Sequence, residues 1–375
     1  MKLRIPALTL VVCLFPFLCS AQVTIDNTKI RPAISKTGEW FVKDKRINSV
    51  SIGVFSNGEA FSAHYGALEK GQGNTPDDNT LYEIASVTKT MTGLLLARAV
   101  SEGKVSLEDS LNQYLPSPYP NLRAGGTTIT LKHLATHTSG LPGFLPLALD
   151  DVFVGKDPQA PNKFVAIEKQ YDKAQFLQDL AEVKLSSRPG AQYAYSNAGI
   201  ELLGYVLEQV YQKSIDALLQ ETFLAETEMN NTSIALTSQQ QKELVRGYWL
   251  DNDEPAPNFQ HNLWATGSGV KSTTADLLKY IELQLRADDP IVAASHQVLY
   301  NNGKGTQLAY CWNVKQDRYG NRFDHHGGTG GVQNWLFIFP KYDLGISIIT
   351  NQSDYSTPKR LSKATMMILK AIVPD

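Results

Sequence analysis

The chain has 375 residues, with 35 lysines and arginines against 37 aspartates and glutamates, so its formal net charge at pH 7 is −2. This balance gives no electrostatic reason to expect nucleic acid or a membrane surface as a partner, and we expect a small-molecule or peptide substrate instead. A chain of this length exceeds a single compact core, which predicts two interleaved lobes.

Residues 1–21 predict a signal peptide. Lys2 and Arg4 precede an apolar stretch at residues 5–18, and Cys19-Ser20-Ala21 supplies the small residues of a cleavage site, so Gln22 would begin the mature chain. The apolar stretch is too short for a membrane anchor, and no later run reaches the length that spans a bilayer. We therefore expect a periplasmic or secreted protein without an integral membrane segment.

The cysteines do not predict a disulfide. Cleavage before Gln22 would remove Cys13 and Cys19 and leave Cys311 alone. Cys19 also lacks the small preceding residue expected at a lipidated cysteine, because Leu18 stands there.

Apolar periodicity predicts an α/β (α+β) fold with an antiparallel sheet built from both ends of the chain and flanked by helices. Residues 49–68 predict a hairpin whose turn is Asn57-Gly58, and residues 358–372 predict a final helix that covers the sheet. The other predicted elements are strands at residues 307–314, 333–340 and 344–350 and helices at residues 197–212 and 272–285.

These elements divide the mature chain, residues 22–375, into two lobes. The sheet lobe would comprise about residues 22–85 and 286–375, and the inserted, mostly helical lobe about residues 86–285. Residues 143–172 contain three prolines and no clean periodicity, which is typical of a loop or lid. Phe144, Phe153 and Phe164 within it could shape a substrate pocket or pack in the core.

Ser86 is the best candidate nucleophile because it lies where an extended segment gives way to an apolar helix. Ser86-Val87-Thr88-Lys89 forms a Ser-x-x-Lys motif, and residues three apart share one helix face, so the Lys89 amine can reach the Ser86 hydroxyl. The first turn also offers unpaired N–H groups and the positive end of the helix dipole. The alternative is an N-cap serine beside a solvated lysine.

The spacing alone is weak, because Ser-x-x-Lys occurs four times in the chain. Ser101, Ser268 and Ser356 head the other three copies. Only the copy at Ser86 enters a long helix that is apolar enough to desolvate its lysine, as a basic amine requires.

Two later segments complete a recognisable set of motifs. Tyr195-Ser196-Asn197 precedes an apolar helix, and His325-His326-Gly327 lies in a glycine cluster before a strand. With Ser86-x-x-Lys89, these motifs in this order resemble the serine β-lactamase and penicillin-binding-protein family, which includes class C β-lactamases, DD-carboxypeptidases and related esterases. The resemblance covers nearly the whole mature chain, including a linking segment at residues 130–142.

Decoys of the later motifs are rejected by order and context. Lys36-Thr37-Gly38 spells the family's usual third motif but precedes the nucleophile, and the remaining Tyr-x-Asn triplets, headed by Tyr119, Tyr300 and Tyr319, lie in loop or turn sequences.

The resemblance implies roles for the motif residues. Ser86 would attack a carbonyl while Lys89 and Tyr195 jointly manage its proton, and which of the two is the resting base stays open. Asn197 would hold Lys89 and the substrate, unless it is only a helix N-cap.

The third motif can be aligned in two ways. Without gaps, His325 takes the family's Lys or His position, His326 its Thr position, and Gly328, after Gly327, donates the second oxyanion N–H. A shift of one residue promotes His326. Class C β-lactamases usually carry lysine where His325 stands, and an ordinary imidazole titrates near neutral pH, so binding of a substrate carboxylate would be weaker and pH-dependent.

These motifs predict an exported serine hydrolase that forms an acyl-enzyme at Ser86 as a DD-carboxypeptidase-like peptidase or esterase. The alternatives are a class C-like β-lactamase and a penicillin-binding sensor that acylates without turnover. We expect no cofactor and no metal. His133 and His137 could face one another as metal ligands, but no third ligand is nearby.

Overall fold

The computed structural model describes residues 24–250 and 254–374, so the predicted signal peptide at residues 1–21 lies outside the described residues. Within the described ranges, no helix combines the length and apolar character needed to cross a membrane.

The strands are β1 (Ser49–Ser56), β2 (Glu59–Gly66), β3 (Tyr82–Glu83), β4 (Arg123–Ala124), β5 (Thr127–Thr128), β6 (Gly247–Trp249), β7 (Pro255–Ala256), β8 (Lys271–Ser272), β9 (Tyr300–Asn301), β10 (Gln307–Leu308), β11 (Asn313–Asp317), β12 (Gly320–Gly328), β13 (Gln333–Phe339), β14 (Leu344–Thr350) and β15 (Gln352–Ser353).

The α-helices lie mostly between the two groups of long strands. They are α1 (Ile30–Val42), α2 (Thr88–Ser101), α3 (Leu131–Ala135), α4 (Ala160–Glu168), α5 (Lys173–Leu180), α6 (Asn197–Tyr211), α7 (Ile215–Leu219), α8 (Ser238–Glu243), α9 (Thr274–Leu285), α10 (Pro290–Ser295) and α11 (Thr357–Ile372).

The central sheet has eight antiparallel strands in the order β2-β1-β14-β13-β12-β11-β10-β9. The predicted hairpin is confirmed as β1 and β2, and its turn uses positive φ at Asn57 (49°) and Gly58 (77°), as a two-residue hairpin turn with the twist of the strands requires. The sheet therefore joins both ends of the described chain, and the predicted α/β (α+β) fold class is confirmed.

Apolar side chains cover both faces of the sheet. On one face, Val50, Ile52 and Val54 of β1 join a core with α1 and α11. On the other face α9 packs closely, because added Cβ atoms at Gly53 and Gly345 would lie 3.1 Å from Leu278 and 2.1 Å from Ile281. The core on the α9 side continues to α2 and α6, which brings the nucleophile helix against the sheet. The division into lobes at residues 86 and 285 stays a prediction.

Several elements differ from the sequence-based expectations. The strand predicted at residues 307–314 is wrong as one element, because β10 and β11 flank a turn in which Cys311 has a φ of 61°. Helix α1 was not predicted, since Pro32 and Gly38 lower its helix propensity. Gly38 is required there because an added Cβ would lie 2.1 Å from the Tyr65 ring. The segment at residues 143–172 is not loop throughout, because it contains α4.

Candidate active site

Ser86 lies in a short 3₁₀ turn, Ala85–Val87, that leads directly into α2. Ala85 has a φ of 46°, a left-handed conformation that costs a residue with a side chain roughly 1–3 kcal/mol and is often found at functional sites. Neighbouring strands hold this turn: Asn334 of β13 donates to the Ile84 carbonyl (3.0 Å), and an added Cβ at Gly327 of β12 would lie 2.2 Å from the same oxygen. Gly327 is therefore needed so that β12 can approach the nucleophile turn.

Lys89 is completely buried, one helical turn after Ser86. Its Nζ lies 3.1 Å from Ser86 Oγ, 2.7 Å from Asn197 Oδ1 and 2.5 Å from the Gly267 carbonyl oxygen. Burial lowers the pKa of Lys89 from its ordinary value to about 7, although the charge of Glu201 partly opposes this shift. A substantial fraction of Lys89 is therefore neutral near neutral pH.

The partners of Lys89 orient the neutral amine. Asn197 Oδ1 and the Gly267 carbonyl can only accept hydrogen bonds, so they take the two N–H groups of the neutral form. The lone pair then points to the remaining partner, Ser86 Oγ, and can receive its proton.

Tyr195 supplies the second contact with the nucleophile, since its hydroxyl donates to Ser86 Oγ at 2.9 Å. Burial of this hydroxyl raises the pKa of Tyr195 well above its ordinary value, even though 39% of the residue's surface is exposed, and the hydrogen bond to Ser86 lowers it only in part. The exposed part of the residue is away from this hydroxyl, which contacts Ser86 Oγ. Tyr195 is therefore a protonated donor at neutral pH.

Asn197 is the first residue of α6, and it is not the N-cap of that helix. Ser196 fills the cap position, because its Oγ accepts from the Gly199 N–H at 2.9 Å. The Asn197 side chain is thus free to contact Lys89.

His325 and His326 of β12 both line the same cavity as Ser86, and so does Gly328. His325 Nδ1 donates to the His326 carbonyl oxygen (2.9 Å), which leaves Nε2 as an acceptor in the neutral ring. His326 Nε2 lies 2.6 Å from Gln333 Oε1. The structure therefore brings both alternatives of the third motif to the cleft, and their roles stay predictions.

The expectation that His325 titrates near neutral pH is wrong. Burial, followed by the charge of Lys89, lowers the pKa of His325 to about 3. Burial also lowers the pKa of His326 below its ordinary value. Without a substrate, His325 is therefore neutral at neutral pH and is not a permanent cation for a substrate carboxylate.

A sequence model of the Beta-lactamase family matches residues 34–366 of the chain. The chain belongs to the beta-lactamase family. Membership confirms the resemblance drawn from the motifs and places the chain among beta-lactamase and penicillin-binding-like serine hydrolases.

Individual relatives of this family member are distant. Protein flp of Staphylococcus aureus (strain N315) is 28% identical over 347 residues, which cover 90% of this chain and 66% of the relative, so the chain spans slightly less than two thirds of that relative's length. A Beta-lactamase of Pseudomonas fluorescens is 28% identical over 384 residues, with 92% of this chain and 99% of the relative covered.

Solved structures share the fold of this beta-lactamase family member. The beta-lactamase/D-alanine carboxypeptidase from Yersinia pestis, complexed with citrate, has a TM-score of 0.77 at 22% identity and covers 92% of this chain and 99% of its own. A class C beta-lactamase has a TM-score of 0.78 at 22% identity, with 94% and 98% covered. At this level of identity, the likeness shows the fold alone.

Sequence reasoning missed Glu201, which lies one helical turn after Asn197 in α6. The residue is only 8% exposed, and its two carboxylate oxygens accept from the Trp264 and Gly267 N–H groups, both at 3.0 Å. Burial raises the pKa of Glu201. Because the Gly267 carbonyl accepts from Lys89, Glu201 fixes a backbone partner of the lysine. An acid on the apolar face of a helix, four residues after Asn197, was the available signal.

Glu201→Gln is expected to move the acidic limb of the kcat/KM profile of this family member to lower pH. The Glu201 charge raises the pKa of Lys89, so its removal lets Lys89 stay neutral at lower pH. The measurement is kcat/KM against pH on one uncharged ester. Glu208→Gln, in the same helix but bonded to Lys173 (3.1 Å), is the matched control and should leave the limb in place. If the acidic limb lies at the same pH in wild type and in Glu201→Gln, the charge of Glu201 does not raise the pKa of Lys89.

Ser268, one of the rejected decoys, also lines the cavity. Its Oγ lies 3.4 Å from Nδ1 of His261, whose side chain is buried. Ser101 and Ser356 lie elsewhere, at the end of α2 and at the N-cap of α11. Ser268 is therefore the one alternative serine among the described residues that lines this cavity.

His133 and His137 each accept a hydrogen bond from a backbone N–H group. His133 Nδ1 accepts from the Thr130 N–H (3.1 Å), and His137 Nδ1 accepts from the Ser196 N–H (3.2 Å). The His137 ring also packs against Tyr195 in a tilted arrangement, with 4.4 Å between centroids and 33° between the ring planes. Across residues 24–250 and 254–374, no group of three or more His, Cys, Asp or Glu side chains is placed to hold a metal ion.

The neutral state of His325 yields a prediction about pH. Turnover of carboxylate-bearing and uncharged substrates should follow parallel pH profiles from about pH 5 to 8, because no imidazolium forms in that range. His325→Lys should raise the relative turnover of the carboxylate-bearing substrate by adding a cation. The ratio of kcat/KM values for a charged and an uncharged substrate is the measurement. If the wild-type ratio falls as pH rises through about 6.5, then a protonated His325 does bind the substrate carboxylate below that pH.

Proposed function

We propose that the protein is an exported serine hydrolase that forms an acyl-enzyme on Ser86, acting as a DD-carboxypeptidase-like peptidase or an esterase. The observation that carries this proposal is the double contact of Ser86 Oγ, with Lys89 Nζ at 3.1 Å and Tyr195 Oη at 2.9 Å. A hydroxyl held between a basic amine and a hydroxyl donor suits nucleophilic attack on a carbonyl.

In the first half-reaction, Ser86 Oγ attacks the substrate carbonyl while its proton moves to neutral Lys89. The pKa of about 7 supports Lys89 as the resting base, and the raised pKa of Tyr195 supports its role as a hydroxyl donor. The backbone N–H groups of Ser86 and Gly328 are the candidate oxyanion donors. The proton then returns from the Lys89 ammonium, directly or through Tyr195, to the leaving group as the carbon–leaving-group bond breaks.

In the second half-reaction, a water molecule attacks the acyl carbon and displaces Ser86 Oγ, which releases the acid. Neutral Lys89 accepts a proton from the attacking water and returns one to Ser86 Oγ, directly or through Tyr195, as the acyl–oxygen bond breaks. Asn197 keeps the amine oriented during both steps through its contact of 2.7 Å.

A β-lactamase is the second candidate. It is favoured by the relative from Pseudomonas fluorescens, which aligns over 92% of this chain and carries the name Beta-lactamase. The neutral state of His325 counts against it, because a β-lactam carboxylate would find no cation at that position.

The deciding experiment compares purified protein on a 4-nitrophenyl ester, a D-Ala-D-Ala peptide and nitrocefin. We expect steady turnover of at least one, with a covalent adduct on Ser86 detected by intact mass. Turnover confined to nitrocefin would favour the β-lactamase. A single burst of acylation without steady turnover on any substrate would contradict the hydrolase.

A further inference from the structure

Aromatic rings form a continuous part of the cavity that contains Ser86. The cavity measures about 490 Å³, within the range of ligand pockets. Neighbouring rings pack against one another, with 4.4 to 5.6 Å between their centroids. This aromatic wall consists of Phe144, Phe153, Phe164, Trp249, Phe259 and Tyr355.

The polar groups of the aromatic wall are bonded within the protein. Trp249 Nε1 donates to the Asp157 carbonyl oxygen at 2.8 Å, and the Tyr355 hydroxyl donates to the Phe153 carbonyl oxygen at 3.1 Å. The four phenylalanines have no polar side-chain atoms. The wall therefore offers mainly carbon surface to a ligand.

The described residues supply the cavity with no permanent cation for a carboxylate. Among the described residues that line it, none is lysine or arginine, and Asp354 is the one acidic side chain. Asp354 already accepts from the Ser356 and Thr357 N–H groups (2.6 and 2.8 Å) and lies 3.7 Å from Arg46. His325 stays neutral because burial lowers its pKa to about 3. A carboxylate bound here would lose its hydration without gaining an ion pair.

We propose that the acyl group transferred to Ser86 is bulky and uncharged, with an aromatic or similarly large apolar end that binds against the aromatic wall. This inference rests on the proposed function, because it concerns the substrate of the same site. The acyl group is the part of a substrate that stays in the cavity through both half-reactions. The inference favours esterase activity over hydrolysis of peptides or β-lactams that carry a carboxylate.

Methyl esters test the inference, because they keep the leaving group small and constant. The acyl groups compared are acetyl, 3-phenylpropionyl and 3-(4-carboxyphenyl)propionyl. The acid released by the enzyme is measured by titration. Each enzymatic rate is divided by the rate at which hydroxide hydrolyses the same ester, which corrects for intrinsic reactivity. We expect kcat/KM for the phenylpropionyl ester to exceed that of the other two by about tenfold or more. A corrected kcat/KM for the acetyl ester or the carboxylate-bearing ester that equals that of the phenylpropionyl ester would overturn the inference.

Substitutions in the wall should reduce this preference. Phe259→Ala is expected to lower the phenylpropionyl-to-acetyl ratio by about tenfold, and Phe259→Leu, which retains apolar volume, by less. Tyr300→Ala, a partly exposed aromatic of β9 outside the cavity, is the control and should keep the wild-type ratio. An unchanged ratio in a folded Phe259→Ala protein would contradict the inference.

A binding measurement separates this inference from the proposed function. Calorimetry with the Ser86→Ala variant would compare 3-phenylpropanamide with 3-phenylpropionate, and we expect the amide to bind about tenfold more tightly. Turnover of neither the esters nor the D-Ala-D-Ala peptide, with this preference intact, would refute the proposed function and still support the wall as a site for uncharged aromatic groups. Equal or tighter binding of the carboxylate would overturn the inference itself.

Discussion

Ser86→Ala is expected to abolish both substrate turnover and covalent labelling by a fluorescent penicillin or a fluorophosphonate. Ser86 Oγ is the hydroxyl that contacts both Lys89 and Tyr195, so its removal leaves no activated nucleophile in the cleft. Intact mass and peptide mapping of the labelled protein provide the measurement.

Ser268→Ala is the matched control, because Ser268 lies in the same cavity and lacks a contact with Lys89. It should retain labelling and most of the turnover. Two results would identify Ser268, beside His261, as the nucleophile instead. One is an adduct mapped to Ser268. The other is labelling that survives in Ser86→Ala and disappears when Ser86→Ala and Ser268→Ala are combined.

Lys89→Met is expected to reduce the acylation rate by at least about a hundredfold, the usual scale for loss of a general base. In the wild type, kcat/KM should fall as pH drops below about 7, because protonation of Lys89 removes the acceptor for the Ser86 proton. Tyr195→Phe should also cost about a hundredfold if the hydroxyl returns the proton. Rapid-quench acylation at several pH values measures both effects.

Lys271→Met is the control that distinguishes loss of the general base from the general effect of removing a buried lysine. Lys271 is also buried, its pKa is lowered by burial, and its Nζ donates to the Ile234 carbonyl oxygen at 3.2 Å. We expect near-normal acylation in this control, with folding of each variant checked by thermal unfolding. Near-normal acylation in Lys89→Met would remove Lys89 from the mechanism.

Local sequence was sufficient for the parts of the site that depend on neighbours along the chain. The Ser86-to-Lys89 spacing on a helix and the Asn57-Gly58 turn are set by backbone geometry over a few residues. The order of the three motifs then indicated the family, and the family model matches. Burial of the helix after Ser86 also followed from its apolar composition, and with it the full burial of Lys89.

Tertiary contacts determined what the sequence could not predict. Glu201 acts on Lys89 through Gly267, a backbone group 66 residues away, and no local pattern encodes that pairing. The low pKa of His325 depends on burial and on Lys89, which reaches the site from another element. Ser268 was rejected on local context, yet the loop that carries it lines the cavity.

The strand order also has a consequence for biosynthesis. The hairpin of β1 and β2 reaches the strands of the site only through β14, and Ser49 bonds to Asn351 across 302 positions of the chain. During translation, the hairpin is made early but must wait for β14, and pairing over such separations is slow. Until then its unpaired edge is open to association with other chains. The Ser86 turn likewise gains its contacts with β12 and β13 late, so a nascent chain should stay inactive until nearly all of it has been made.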